Sequence, residues 1–269
     1  MLKQDVAHKP IRFIQLTDTH LSLNSHTELL QVNTEDSFKA VVALLNKRSD
    51  IDLLLLTGDL SQDGSEAAYE RIAQILKRLT MPIYCLPGNH DDATVMRRVY
   101  AAGSILMKQQ IFLQNWQIIL LNSQKIGAVE GLLVEDELNL LNSALAAYPA
   151  HHTIVVFHHP PVAVGSAWLD GSQLTNADQF WQIIARYTNV RGIVCGHVHQ
   201  AFEKLVNGIS VYTTPSTCIQ FKPNQTGFKL DNIPPGLRLF DLFEDGHIET
   251  SIQRVSHYIG VFDDHSKGY

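Results

Sequence analysis

Residues 52–60 read Asp-Leu-Leu-Leu-Leu-Thr-Gly-Asp-Leu. Four leucines in a row carry no period-two alternation, the pattern of a β-strand covered on both faces. The run stops at Thr57-Gly58-Asp59, a tight turn and a carboxylate. A strand covered on both sides needs a layer above and a layer below, so this stretch predicts a sheet inside a layered α/β fold. The same construction recurs along the chain. Ile11 to Leu16 ends in Asp18-Thr19-His20, and Ile83 to Leu86 ends in Pro87-Gly88-Asn89-His90-Asp91. Thr153 to Phe157 ends in His158-His159-Pro160, and Arg191 to Cys195 ends in Gly196-His197-Val198-His199.

Between these strands the period changes. Residues 33–48 carry Phe38, Val41, Val42, Leu44 and Leu45 at helical spacing, with Asn33 or Thr34 as the cap. Residues 65–79 turn Tyr69, Ile72, Ile75, Leu76 and Leu79 inward, and 134–147 and 176–187 read as further helices. Ile111 to Leu113 and Gln117 to Leu121 read as a hairpin turning near Gln114-Asn115. From about residue 202 the helical signal stops. Short strands follow at 202–206, 209–214, 237–242 and 246–253, around a Pro-, Gly- and Asn-rich loop at 222–236. The last residues, DDHSKGY, read as a loose tail. The layout predicts one domain over residues 1–269: helices over a partly parallel sheet system, closed by a β-rich part from about 202.

Bulk properties exclude several classes. The 269 residues can bury a full core, and 45% apolar with 18% charged is the balance of a globular protein. The net charge of -6 and the lack of a Lys/Arg-rich run argue against nucleic acid as a partner. Apolar runs such as Leu53 to Leu56 are too short to span a bilayer. The opening MLKQDVAHKP has no leader-like apolar segment, so the expectation is a cytoplasmic protein with no membrane contact and no inferred protein partner. The three cysteines, Cys85, Cys195 and Cys218, form no CxxC pair and read as buried thiols. Thirteen histidines are many for this length. His8 and His265 read as solvated, whereas His20, His90, His158, His197 and His199 follow apolar runs or Gly/Pro turns.

That placement carries the chemistry. Ligands of open α/β sheets bind beyond the carboxyl ends of the strands, where all five polar clusters sit. Carboxylates and neutral imidazoles are ligands for Zn, Fe and Mn, and an aspartate can bridge two ions. Taken singly, an Asp-x-His pair or a Gly-Asn-His turn is common by chance. Five such clusters in order, each closing a strand, point to a two-metal centre that clamps a phosphate and activates water.

With DTH at 18–20, GDL at 58–60, GNHD at 88–91, HHP at 158–160 and GHVH at 196–199, the chain resembles the calcineurin-like metallophosphoesterases. The resemblance implies a four-layer αββα sandwich, two mixed sheets face to face with helices outside. It implies that Asp18, His20, Asp59 and His199 hold one ion and that Asn89, His158 and His197 hold the second together with Asp59, which bridges. His90 would act on the phosphate without ligating, and His159 would pack or support the site. His20, Asp59, Asn89, His90 and His199 would surround the phosphate. Many relatives carry an acidic residue three positions after the bridging aspartate. Here Gln62 stands there, and Asp63 or Asp91 is left to orient His90.

The segments GDLSQDGSEAAY (58–69), LPGNHD (86–91), SAWLDG (166–171), CGHVHQ (195–200) and PSTCIQFKP (215–223) further resemble the bacterial class III 3′,5′-cyclic-AMP phosphodiesterases. That narrower resemblance implies hydrolysis of 3′,5′-cyclic AMP to 5′-AMP by a metal-bridging hydroxide, with Asp59 and His90 as catalytic residues. Two divalent ions are expected, Fe2+ or Mn2+ before Zn2+. Residues 162–175 and 215–223 are the candidates for the nucleoside side, with Trp168 or Phe221 available to stack on a base. Two other readings stand beside it: a broader metallophosphodiesterase acting on 2′,3′-cyclic nucleotides or glycerophosphodiesters, and a non-catalytic scaffold on the same fold.

Overall fold

The computed structural model describes residues 9–46, 48–101, 103–263 and 265–268. His8 and the leader-free reading of the first residues lie outside that range, as do Asp264 and Tyr269 of the tail. The first half of the chain runs β1 (Ile11–Leu16), β2 (Glu28–Leu29), β3 (Val32–Asn33), α1 (Thr34–Ala43), β4 (Leu53–Thr57), α2 (Glu66–Leu76), β5 (Ile83–Leu86), α3 (Ala93–Tyr100) and β6 (Ile105–Leu106). Then come β7 (Gln110–Leu113), β8 (Trp116–Leu120), α4 (Glu135–Ala147), β9 (His152–Val156), α5 (Ala167–Asp170), α6 (Ala177–Ile184) and β10 (Val190–Cys195). The strand-rich end holds β11 (Glu203–Val206), β12 (Ile209–Thr213), β13 (Gln220–Phe221), β14 (Leu230–Asp231), β15 (Gly236–Leu242) and β16 (Ile248–Arg254).

Two six-stranded sheets result, in the orders β16-β15-β1-β4-β5-β6 and β11-β12-β10-β9-β8-β7. In the first, β1, β4, β5 and β6 are parallel while β15 and β16 pair antiparallel. In the second, β8, β9, β10 and β12 are parallel and the edge strands β7 and β11 antiparallel. Both sheets are therefore mixed, as the resemblance implied.

The leucine run explains the layering. Leu53 and Leu55 pack between the sheets against Ile118, Ile154 and Val194, while Leu54 and Leu56 pack outward with Phe38, Ile72 and Met96 of the helices. All four are buried, so the missing alternation reflects two apolar environments. On the far side, α4 and α6 cover Ile119, Val155 and Ile193. The order is helices, sheet, sheet, helices.

Local chemistry sets the helix starts. Asn33 caps α1 by accepting from the Asp36 backbone N–H. Asp92 caps α3, accepting from Thr94 and Val95. Helix α3 is absent from the sequence reading, which ended at the Gly-Asn-His-Asp turn just before it. The 222–236 loop contains β14, a short strand paired with β13. The three cysteines are buried and free, and no helix among the described residues is long and apolar enough to cross a membrane.

One buried polar link crosses the sandwich. The Gln15 side chain of β1 donates to Thr57 Oγ1 at 2.7 Å and to the Cys195 carbonyl at 2.9 Å, and its oxygen accepts from Thr214. It joins β1, β4 and β10 just beneath the strand ends that carry the polar clusters.

Candidate metal centre

The parallel strands deliver their C-terminal residues to one place. β1 leads to Asp18 and His20, β4 to Asp59, β5 to Asn89 and His90, β9 to His158, and β10 to His197 and His199. The backbone is bent to achieve this. Asp18, His20, Asp59, His197 and His199 all have left-handed φ, at 54°, 49°, 49°, 71° and 49°. Such a conformation costs a non-glycine residue about 1–3 kcal/mol, so five of them among one set of side chains mark a site where geometry outweighs strain. Gly58 and Gly88 allow the close approach. A Cβ on Gly58 would lie 2.4 Å from His158 Nδ1, and one on Gly88 would lie 2.2 Å from Asp59 Oδ1.

The polar atoms converge tightly. Among the described residues, Asp18, His20 and His199 form one group of potential ligands. Asp18, Asp59 and His158 form another, His20, Asp59 and His90 a third, and His158, His159 and His197 a fourth. Within each, the ligand atoms lie within 4.8 Å of one another. His158 Nε2 is 3.2 Å from Asp59 Oδ2, His199 Nε2 is 3.3 Å from Asp18 Oδ1, and the Nε2 atoms of His20 and His199 are 3.2 Å apart. Ligands held about 2.1 Å from a shared ion sit roughly 3–3.5 Å from each other, which is this spacing.

Hydrogen bonds fix the rings. His158 Nδ1 donates to the Thr57 carbonyl at 2.8 Å and His199 Nδ1 to the Ile219 carbonyl at 2.9 Å. His20 Nδ1 meets Gln62 Oε1 at 2.6 Å. Each ring then turns Nε2 inward, where its lone pair is available once that nitrogen carries no proton. Two such lone pairs facing each other at 3.2 Å, those of His20 and His199, repel unless a cation lies between them. Among the described residues, the buried Asn89 Oδ1 also lacks a hydrogen-bond partner. These are the marks of a donor set built for cations, and the residues fit a pair of divalent ions.

Electrostatics follow. Burial pushes the His20 and His197 rings down to about 3, so they stay neutral, the form a metal needs. Burial also opposes charge on His158, but the Asp59 and Asp18 carboxylates outweigh it and lift that ring to about 9. Burial works against ionised Asp18 and Asp59 too. The histidines overcome it and hold both carboxyls below their ordinary range.

The remaining expected residues lie close by in other roles. His90 is half-buried, edge-on to His20, with Nδ1 3.2 Å from the Gln62 carbonyl. Asp91 accepts from the backbone N–H groups of Leu60, Ser61 and Gly88 and from the Tyr69 hydroxyl, clamping the turns that carry Asp59 and Asn89 together. Burial lifts its carboxyl to about 6. Asp63 binds the Leu23 N–H and the Ser61 hydroxyl. His159 accepts from Ser123 on Nδ1 and donates to the Val129 carbonyl from Nε2, so both its nitrogens face the 123–129 loop.

A cavity of about 330 Å³ opens on the centre, lined by Asp59, Asn89, His90, His197, Trp168 and Phe228 among others. Phe221 is also in its wall and is stacked by one face on His199, 4.2 Å between centroids. Trp168 packs edge-on against Phe221 and Phe228. The tail expected to be loose brings Lys267 and Gly268 to the cavity rim. Sequence reasoning passed over Ser172, whose hydroxyl lies 2.9 Å from His197 Nε2.

The family model for the calcineurin-like phosphoesterases matches residues 11–201. The chain belongs to this family. The matched span includes every calcineurin-like phosphoesterase motif quoted above. A 3′,5′-cyclic adenosine monophosphate phosphodiesterase CpdA of Vibrio vulnificus is 42% identical, with 98% of this chain and 97% of that protein covered. Its namesake in Escherichia coli K12 is 39% identical, covering 96% and 95%. A solved dimetal phosphatase from Danio rerio superposes with a TM-score of 0.68 at 15% identity, covering 93% of this chain and all of that one, a likeness of fold.

Proposed function

We propose that the chain hydrolyses the 3′ phosphoester bond of 3′,5′-cyclic AMP and releases 5′-AMP. The observation that carries this is the full-length similarity to proteins named as cyclic-AMP phosphodiesterases, which leaves little of the chain outside the match.

In this reading Asp18, His20, Asp59 and His199 would hold one divalent ion. Asn89, His158 and His197 would hold the other, with Asp59 shared. Fe2+ and Mn2+ suit this mixed N/O set, with Zn2+ the third choice. Two such ions, when bound, would neutralise the charge of a phosphodiester and make water nucleophilic at neutral pH. The phosphate sits among His20, Asp59, Asn89, His90 and His199. The leaving group is a sugar alkoxide, a strong base, so a proton must reach the 3′ oxygen as the bond breaks. His90, anchored through Nδ1–H on the Gln62 carbonyl, gives that proton from Nε2. Trp168 and Phe228 receive the base.

The test is a comparison of kcat/KM for 3′,5′-cyclic AMP, 2′,3′-cyclic AMP and a chromogenic diester, on protein loaded with Mn2+ or Fe2+. The first is expected to have the largest constant under both metals. A tenfold preference for either of the others refutes the assignment.

A further inference from the structure

We infer that Ser172 is a positioning residue: it sets which nitrogen His197 presents to the second ion. The inference rests on the two-metal reading above. It starts from one asymmetry. His20, His158 and His199 spend Nδ1 on a protein acceptor, whereas His197 turns the other way, with Nε2 2.9 Å from Ser172 Oγ.

The contacts of the hydroxyl point to one direction for that bond. Ser172 Oγ is 3.0 Å from the Leu169 carbonyl, which can only accept. A hydroxyl proton given to Leu169, whose carbonyl also accepts the Gly171 and Ser172 backbone N–H groups, leaves the oxygen a lone pair to offer His197. Nε2 carries the ring proton, and Nδ1 keeps the lone pair that a metal requires. The backbone holds the ring for this. His197 has φ 71°, and its N–H is held by both Asp18 oxygens at 3.1 and 3.2 Å.

The contact also joins two parts of the site. Ser172 follows α5, the short helix that carries Trp168 and Leu169 in the cavity wall. A single hydroxyl thus ties the wall expected to hold the base to a ligand of the second ion. The opposite proton arrangement, Ser172 donating to Nε2, puts the ring proton on Nδ1 and removes His197 as a ligand. Losing the hydroxyl then leaves metal binding unchanged or tighter.

The experiment uses the full chain as wild type, Ser172→Ala and Ser172→Thr. Each is stripped of metal and titrated with Mn2+ against a competing chelator. Wild type is expected to bind two ions. Ser172→Ala should bind the first with unchanged affinity and the second about 10–100-fold more weakly. Ser172→Thr, which keeps the hydroxyl, should restore the second to within about threefold. Long-range 1H–15N spectra of the metal-free protein should place the His197 proton on Nε2 in wild type and show a tautomer mixture in Ser172→Ala, a change that lost packing does not produce. Equal affinities in wild type and Ser172→Ala overturn the inference while leaving the two-metal reading intact, as does Ser172→Thr matching Ser172→Ala. Fewer than two ions on wild type overturns both.

Discussion

Replacing Gly88 with alanine tests the site geometry with a single methyl group. Gly88 has no left-handed φ, so alanine fits its backbone. Space is what it lacks. The added Cβ would sit 2.2 Å from Asp59 Oδ1 and 2.4 Å from Asp59 N, where real Cβ contacts start near 3.0 Å. One of the clashing atoms is backbone, so no rotamer change relieves it. Asp59 and the 88–91 turn must separate by about 0.8 Å, whereas metal–ligand distances tolerate roughly 0.2 Å. Asp59 is the carboxylate assigned to both ions. A misplacement near 1 Å costs on the order of 100-fold in rate, about 2.7 kcal/mol. Gly88→Ala should therefore keep its circular dichroism spectrum, lose bound metal after reconstitution, and show kcat/KM at least about 100-fold below wild type. Gly103→Ala is the control: its nearest neighbour is the Tyr100 carbonyl at 3.7 Å, so metal content and rate should not change. Elemental analysis and steady-state kinetics on the same samples provide the readout. Two bound ions and a kcat/KM within about threefold of wild type in Gly88→Ala would refute the reasoning.

Three further outcomes are expected. His90→Ala should keep both ions yet lose about 100-fold or more in kcat on cyclic AMP, with a smaller loss on a diester whose leaving group is a weak base; equal losses on both contradict the proton-donor role. The His158 ring, lifted to about 9 in the metal-free site, must shed its proton to ligate, so metal binding near pH 7.5 should release about one proton. Apparent affinity should then climb about tenfold per pH unit below 9 and level off above it, as calorimetry in buffers of different ionisation enthalpy can measure. In the metal-free protein the same ion pair stabilises the fold below the ordinary histidine value and is lost as pH rises through about 9. Gln15→Leu leaves the buried Cys195 carbonyl and Thr214 hydroxyl without their partner, so urea denaturation of metal-free protein should show a loss of about 1–3 kcal/mol.

What could be read from sequence was whatever local patterning dictates. The leucine run at 53–56 foretold a doubly covered strand because both faces of β4 are apolar. The candidate ligand side chains stood out because each closes a strand, where a parallel sheet places its site. Helix α3 escaped notice because its cap, Asp92, sits inside what reads as a turn. Contacts between distant residues gave no local signal. Gln15 meets Thr214 across 199 positions, and Ser172 meets His197 from a segment with no periodicity of its own. Gln62 was visible only as a departure from pattern. In the structure its amide oxygen holds His20 and its carbonyl faces His90, two tasks that Asp63 and Asp91, occupied by backbone N–H groups, leave to it. Phe221, a candidate for base stacking, also braces His199 with one face.

The central claim is that these strand ends hold two ions around Asp59. An anomalous difference map from crystals loaded with Mn2+, with data on both sides of the metal edge, tests it most directly. Two peaks about 3.5–4 Å apart are expected, with Asp59 between them, Asp18, His20 and His199 on one side, and Asn89, His158 and His197 on the other. A single peak, or peaks away from Asp59, would contradict it.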